Sequence, residues 1–208
     1  MAKETGASCK RCRREGEKLF LKGERCYSQK CAIERRPTPP GQHGAARQRR
    51  PSQFGEQLRE KQKARKLYGV SERQFRNVFD TASKMDGITG EVFLRLLELR
   101  LDNVVFRMGL APSRTAARQL VSHGHVLVNG KKLDVPSARL REGDEVALKP
   151  GTEKKAGFAD VEKRMPQEAP AWLALNVKDR SAKVMTHPSL DDIGHSLNMR
   201  LIVEFYSR

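Results

Sequence analysis

The chain has 208 residues, with 41 Lys+Arg against 25 Asp+Glu, a formal net charge of +16 and 6% aromatic residues. Its pI is about 10.1. Net charges of about 2–8 suffice for solubility, so the excess points to a polyanionic partner rather than a small-molecule substrate. No apolar run of about 18 residues occurs to span a membrane, and so few aromatics argue against a reader that stacks single-stranded bases.

The first feature along the chain is a set of four cysteines, Cys9, Cys12, Cys26 and Cys31, spaced C-x2-C-x13-C-x4-C, with no other cysteine in the sequence. Two close pairs separated by a loop suit a closed tetrahedral zinc site. Lys10, Arg11, Arg13, Arg14 and Lys30 crowd these positions; such cations would offset thiolate charge and lower the thiol pKa values. A pair of disulfides is the alternative and needs an oxidising compartment, yet MAKETGASCKRCRREG lacks the apolar stretch of a signal peptide. Iron–sulfur ligation uses the same thiolates. One structural zinc ion is the expectation, with residues 1–36 folding around it.

Residues 37–51, PTPPGQHGAARQRRP, form a Pro/Gly-punctuated connector without hydrophobic period, expected to order on its partner. From Arg35 to Lys66, ten cations (Arg35, Arg36, Arg47, Arg49, Arg50, Arg59, Lys61, Lys63, Arg65 and Lys66) face only Glu56 and Glu60, which puts half the net charge in this window. Arginines dominate its first half, and their forked guanidinium suits bidentate phosphate contact.

Helices follow. Ser52 is a candidate cap for a helix reaching Tyr68 and stopped by Gly69, with Leu58 and Leu67 inward and the cations spread over the remaining surface. Ser71 and Gln74 fit a capping box, and Phe75, Val78, Phe79 and Ala82 follow at helical spacing. A third helix begins near Thr89 with Val92, Phe93, Leu96 and Leu97 on one face. Leu101–Met108 reads as a short helix stopped by Gly109. Ser113 caps another over Arg114–Ser122, with Gly124 beyond its end. Val126–Leu133 reads as a hairpin turning on Asn129-Gly130, and Glu145–Leu148 as a further strand. Residues 149–170 read as a linker, Trp172–Val177 as a strand, and residues 197–206 fit either strand or helix.

Several long blocks resemble one family. LELRLDNVVFRMGLAPSRTAARQLVSHGHVLVNGKKLD, GQHG, REKQKARKLYGVSERQFRN and the terminal LIVEFYSR are similar to the bacterial ribosomal small-subunit protein S4 family, over nearly the whole chain. The cysteines resemble those of its zinc-carrying members. The resemblance implies an α+β fold in four stretches: a zinc-bound extension (1–45), a helical domain (46–97), an inserted α+β RNA-binding module of two short helices on an antiparallel sheet (98–164), and a segment (165–208) that returns to the helical domain. This tips residues 197–206 towards helix. It further implies early binding to small-subunit (16S) ribosomal RNA, nucleation of subunit assembly, and contact with another small-subunit protein that bears on translational accuracy. Arg47, Arg49 and Arg50 would lie near where messenger RNA enters, and the location would be the cytoplasmic ribosome.

The candidate RNA-binding residues are the ten window cations with Arg13, Arg14, Arg114, Arg118, His123, His125 and Lys131. Arg114 and Arg118 lie one turn apart at a helix N-terminus, where cations and free amides together suit phosphate. His123 and His125 flank Gly124 and are potential donors to phosphate or a 2′-hydroxyl, or finish the helix locally. Arg100 and Asp102 read as a structural pair. No catalytic constellation emerges: Gly124 to Lys131 is one residue too long for a phosphate loop, and Lys132 stands where Ser or Thr is needed. A structural role is expected, with an RNA-modifying enzyme and a DNA-binding regulator using Arg114–Ser122 as competing readings.

Overall fold

The computed structural model describes residues 6–46, 50–152, 165–166, 170–189 and 197–207. The fold is α+β and divides into two compact units, residues 1–90 with 195–208, and residues 91–194.

The first unit is helical. α1 (Ser8–Glu15) ends on Gly16 in the left-handed region, a short 3-10 turn covers Gly23–Cys26, and α2 spans Ala32–Arg35. α3 (Gln53–Tyr68) starts where the Ser52 hydroxyl accepts from the Gly55 amide. It closes with Gly69 N–H to the Lys66 carbonyl and Val70 N–H to the Arg65 carbonyl, a paired bonding that satisfies the last carbonyls. α4 (Glu72–Ala82) buries Phe75, Val78, Phe79 and Ala82, the four positions that helical spacing singled out. Its expected capping box is only half made. Ser71 accepts from the Gln74 amide, but the Gln74 Oε1 is buried without a partner.

Residues 199–206 are helical: α8 (Met199–Tyr206) is capped by Asn198, whose side chain accepts from the Leu201 amide. α8 packs along α3, with Gln57 Nε2 donating to Glu204 at 3.0 Å and the Asn198 amide to Glu60 at 2.8 Å. The start of α8 also comes close to Gly90, where a Cβ would meet Met199 Cβ at 3.1 Å.

The chain passes into the second unit within α5 (Thr89–Glu98). α6 (Leu101–Arg107) and α7 (Arg114–Ser122) pack together. Ser113 accepts from the Ala116 amide, and Gly124, at φ 71°, ends α7. β1 (Val126–Val128) and β2 (Lys131–Lys132) form the expected hairpin. Asn129 and Gly130 both have positive φ, 49° and 76°, as a type I′ turn requires. β3 (Glu145–Leu148), β4 (Leu173–Asn176) and β5 (Ser181–Val184) complete an antiparallel sheet of order β2-β1-β3-β5-β4.

Here the structure corrects the expected division of the chain. Residues 165–208 do not return to the helical domain as one segment. β5 pairs with β3, Val146 opposite Ala182, and Met165, Trp172, Leu173 and Val184 join the core of α6, α7 and the sheet. β3 alone leaves one edge unpaired, and β5 supplies its missing ladder. Within the C-terminal stretch, the described part of the helical unit is α8 and its flanks.

Candidate nucleic-acid interface

Four of the cations on α3 are drawn inward, contrary to the solvated face expected of them. Lys66 Nζ lies 2.5 Å from Glu15, whose side chain is only 3% exposed, with Arg59 3.6 Å away. The Glu15–Lys66 pair thus ties the end of α1 to α3 with both charges largely buried, and Lys63 bonds the more open Glu17, just beyond α1, at 2.8 Å. Lys61 is buried, 2.7 Å from Glu72 and 4.7 Å from the Phe205 ring centroid, and Arg65 lies 3.5 Å from Glu72. Charge density along a sequence does not distinguish a solvated cation from one that meets a carboxylate on a neighbouring helix.

Tyr206 completes this cluster by donating to Glu72 at 2.9 Å. Burial, and the carboxylate it donates to, raise the Tyr206 phenol above its ordinary value. Burial would raise Glu72, but hydrogen bonds from Lys61 and Tyr206 and the nearby Arg65 bring it below the usual carboxylate value. Lys61, Gln62, Arg65, Glu72, Arg76, Phe205 and Tyr206 line an open groove of about 530 Å³.

In the second unit, Arg114 and Arg118 do not form an exposed edge. Arg114 is buried; its Nε donates to Asn103 Oδ1 at 2.8 Å and its guanidinium lies 4.6 Å from the Phe106 ring centroid. Asn103 in turn donates to Glu98, which is fully buried and held by Arg107 at 2.9 Å. Arg118 reaches Asp102 at 3.2 Å. The expected Arg100–Asp102 pair forms as a bidentate fork, 3.0 and 2.8 Å. The buried Asp102 carboxylate needs cations and draws in Arg118 with Arg100, whereas Arg114 is held by the Asn103 carboxamide and the Phe106 ring.

The remaining candidates are more open. Arg14, Arg35, Arg36 and Arg50 are exposed, as are Lys131 and His123. Arg13 instead pins the connector, its guanidinium donating to the Thr38 carbonyl at 2.9 Å. Half-buried His125 meets Thr152 Oγ1, 27 residues further along the chain, at 3.3 Å. Arg47 and Arg49 lie outside the described residues. Sequence reasoning missed Lys22, Arg25, Arg73, Arg76, Arg139 and Arg141, all exposed; their scattered positions gave no cluster to notice.

The four cysteines line one pocket with Leu21, Lys22, Arg25 and Ile33, and none forms a disulfide. Cys12, Cys26 and Cys31 are buried, and the Lys22 amide donates to Cys26 Sγ at 3.3 Å. The donor set suits a thiophilic ion, but among the described residues no three potential ligands are grouped closely enough to hold one. The Cys12 thiol is also pushed up, not down: burial raises it, against a lowering backbone hydrogen bond from Leu19.

These features define a class: a strongly basic, two-unit α+β protein whose surface suits a polyanion and whose described helices include none long and apolar enough to cross a membrane. Residues 3–98 match the ribosomal protein S4/S9 N-terminal domain and residues 99–146 the S4 domain. The chain is 53% identical over 212 residues to small ribosomal subunit protein uS4 of Thermus thermophilus, covering all of both chains. It is 52% identical over 209 residues to that of Halothermothrix orenii, and 53% over 211 to protein uS4A of Clostridium perfringens, again covering all of each. The chain belongs to the ribosomal protein S4 family.

Proposed function

We propose that this protein is a structural component of the small ribosomal subunit that binds 16S ribosomal RNA directly, through phosphates and shape, and catalyses no reaction. The observation that carries this reading is how the charges are sorted. Glu15, Glu72, Glu98 and Asp102 meet cations within their own unit, while Arg14, Arg35, Arg36 and Arg50 stay exposed near the connector. Those arginines are available for phosphate, the dominant source of affinity for nucleic acid. Family membership supports ribosomal RNA as the polyanion and other small-subunit proteins as neighbours. The resemblance extends the proposal to early binding in assembly, a bearing on translational accuracy, and connector arginines near incoming messenger RNA.

One structural zinc ion on Cys9, Cys12, Cys26 and Cys31 belongs to the same proposal, supported by four unpaired thiols on one pocket. Zinc held there would fix the knuckle and so the exposed Arg14, Arg35 and Arg36. Chemical footprinting of small-subunit RNA at controlled salt tests the reading. A compact protected region is expected; uniform reactivity, or a modified nucleotide formed by turnover, would refute it. A DNA regulator using α7 as recognition helix is disfavoured, because that helix turns Arg114 inward and leaves Arg118 only 12% exposed, whereas base reading needs free side chains.

A further inference from the structure

Low aromatic content suggested that no ring was available to stack on a base, yet Tyr27 is 75% exposed, the most exposed large apolar side chain among the described residues. It sits between Cys26 and Cys31 in a loop held by its own bonds. The Tyr27 amide donates to the Glu24 carbonyl at 3.1 Å and the Cys31 amide to the Ser28 carbonyl at 3.0 Å. Ser28 Oγ donates to the Arg25 carbonyl and accepts from the Lys30 amide, and Arg25 Nε reaches the Lys30 carbonyl. The ring is therefore presented by a pre-ordered loop.

Beneath it lies Phe20, its ring centroid 5.0 Å from that of Tyr27 and tilted by 31°. Phe20 has φ 50°, a left-handed backbone that a bulky residue adopts only under constraint. One face of Tyr27 is thus backed by an aromatic ring while most of its surface stays open. Lys22, Arg25 and Lys30 around it are exposed, against the single carboxylate of Glu24. A protein-binding tyrosine would suit a depleted-charge surround; an open ring among cations suits a base whose phosphates need partners.

We propose that Tyr27, backed by Phe20, is a stacking platform for one unpaired base of the RNA partner. The inference rests on the RNA-binding reading above and adds to it a contact to a base face. A stacked base would fix the knuckle's register on its RNA without reading a particular sequence, since every base has a π-face.

The test is filter binding of the full chain to small-subunit ribosomal RNA at several salt concentrations, with the variants Y27A, Y27L and Y27F. Y27A and Y27L should weaken binding by about 5- to 150-fold. The salt slope should not change, because an uncharged contact releases no counterions. Y27F should bind within about twofold of wild type, as it keeps the ring. Three results would overturn the platform: Y27A binding like wild type, Y27L retaining affinity that Y27A loses (packing on Phe20, not stacking), or Y27F losing as much as Y27A. Wild-type protein that fails to bind the RNA overturns the broader reading and the platform with it; wild-type binding with an indifferent Y27A sinks the platform alone.

Discussion

Removing the Asp102 carboxylate should cost the second unit much of its stability. Arg100 and Asp102 are 3% and 6% exposed in their side chains. The carboxylate takes two bonds from Arg100 and a third from Arg118. In Asp102→Ala the Arg118 side chain, already 12% exposed, can turn to solvent, but the Arg100 guanidinium stays buried without a counter-charge. Breaking a buried pair in this way costs about 3–5 kcal/mol, a large part of the roughly 5–15 kcal/mol that stabilises a domain. Trp172 is the single tryptophan and is 1% exposed in the same core, so its fluorescence reports the unfolding of this unit. With a urea slope of about 2 kcal/mol per molar, the midpoint should fall by about 1.5–2.5 M. The double variant Arg100→Met, Asp102→Leu removes both charges and should recover most of the loss, because apolar replacement of a buried pair is often neutral. A midpoint shift below about 0.5 M for Asp102→Ala, or a double variant as unstable as the single one, would refute the reasoning.

Other outcomes follow from the same sorting of charges. Each of Arg35→Ala, Arg36→Ala and Arg50→Ala should lower the salt slope of RNA binding by about one, whereas Lys63→Met, whose charge is spent on Glu17, should leave the slope unchanged and loosen the segment after α1 from α3; equal slopes for both sets would contradict the assignment. Tyr206 has a raised folded value, so its contribution is present below about pH 10 and is lost as pH rises beyond it. Ultraviolet titration should show Tyr206 ionising late, and Tyr206→Phe should lower the late-ionising amplitude by one tyrosine. Glu72, lowered on folding, acts in the opposite sense: its contribution holds above the ordinary carboxylate value and fades as acid protonates it, an effect Glu72→Gln should abolish in acid-unfolding curves. Cys12→Ser should release zinc from the reduced protein and unfold the knuckle while Trp172 fluorescence stays native; metal analysis finding no zinc in reduced wild-type protein would remove the metal proposal.

Features that depend on neighbouring residues were legible in the chain. The serine caps at Ser52, Ser71 and Ser113, the glycine stops at Gly69 and Gly124 and the Asn129-Gly130 hairpin all work within a few residues, and each forms. Placement that depends on distant partners was not. Nothing local shows that Ser181–Val184 completes a sheet begun at Val126, because strand pairing is decided by which edge is vacant. Lys63 and Lys66 look like surface cations until Glu17 and Glu15, some fifty residues earlier, fold against them. Arg114 and Arg118 have the spacing of an exposed pair, but Asn103 and Asp102 on α6 take them up. Tyr27 was hidden by averaging: a low aromatic fraction says how many rings exist, not whether one is turned outward. The cysteines were conspicuous by spacing, which brings them to one pocket without establishing what they hold.

Competition binding at fixed ionic strength tests most directly whether this surface is built for ribosomal RNA. Full-length protein bound to small-subunit ribosomal RNA should resist displacement by duplex DNA, with a preference of about 10³-fold or more. Equal displacement by the two nucleic acids would reduce the interface to unspecific charge and contradict the proposed ribosomal role.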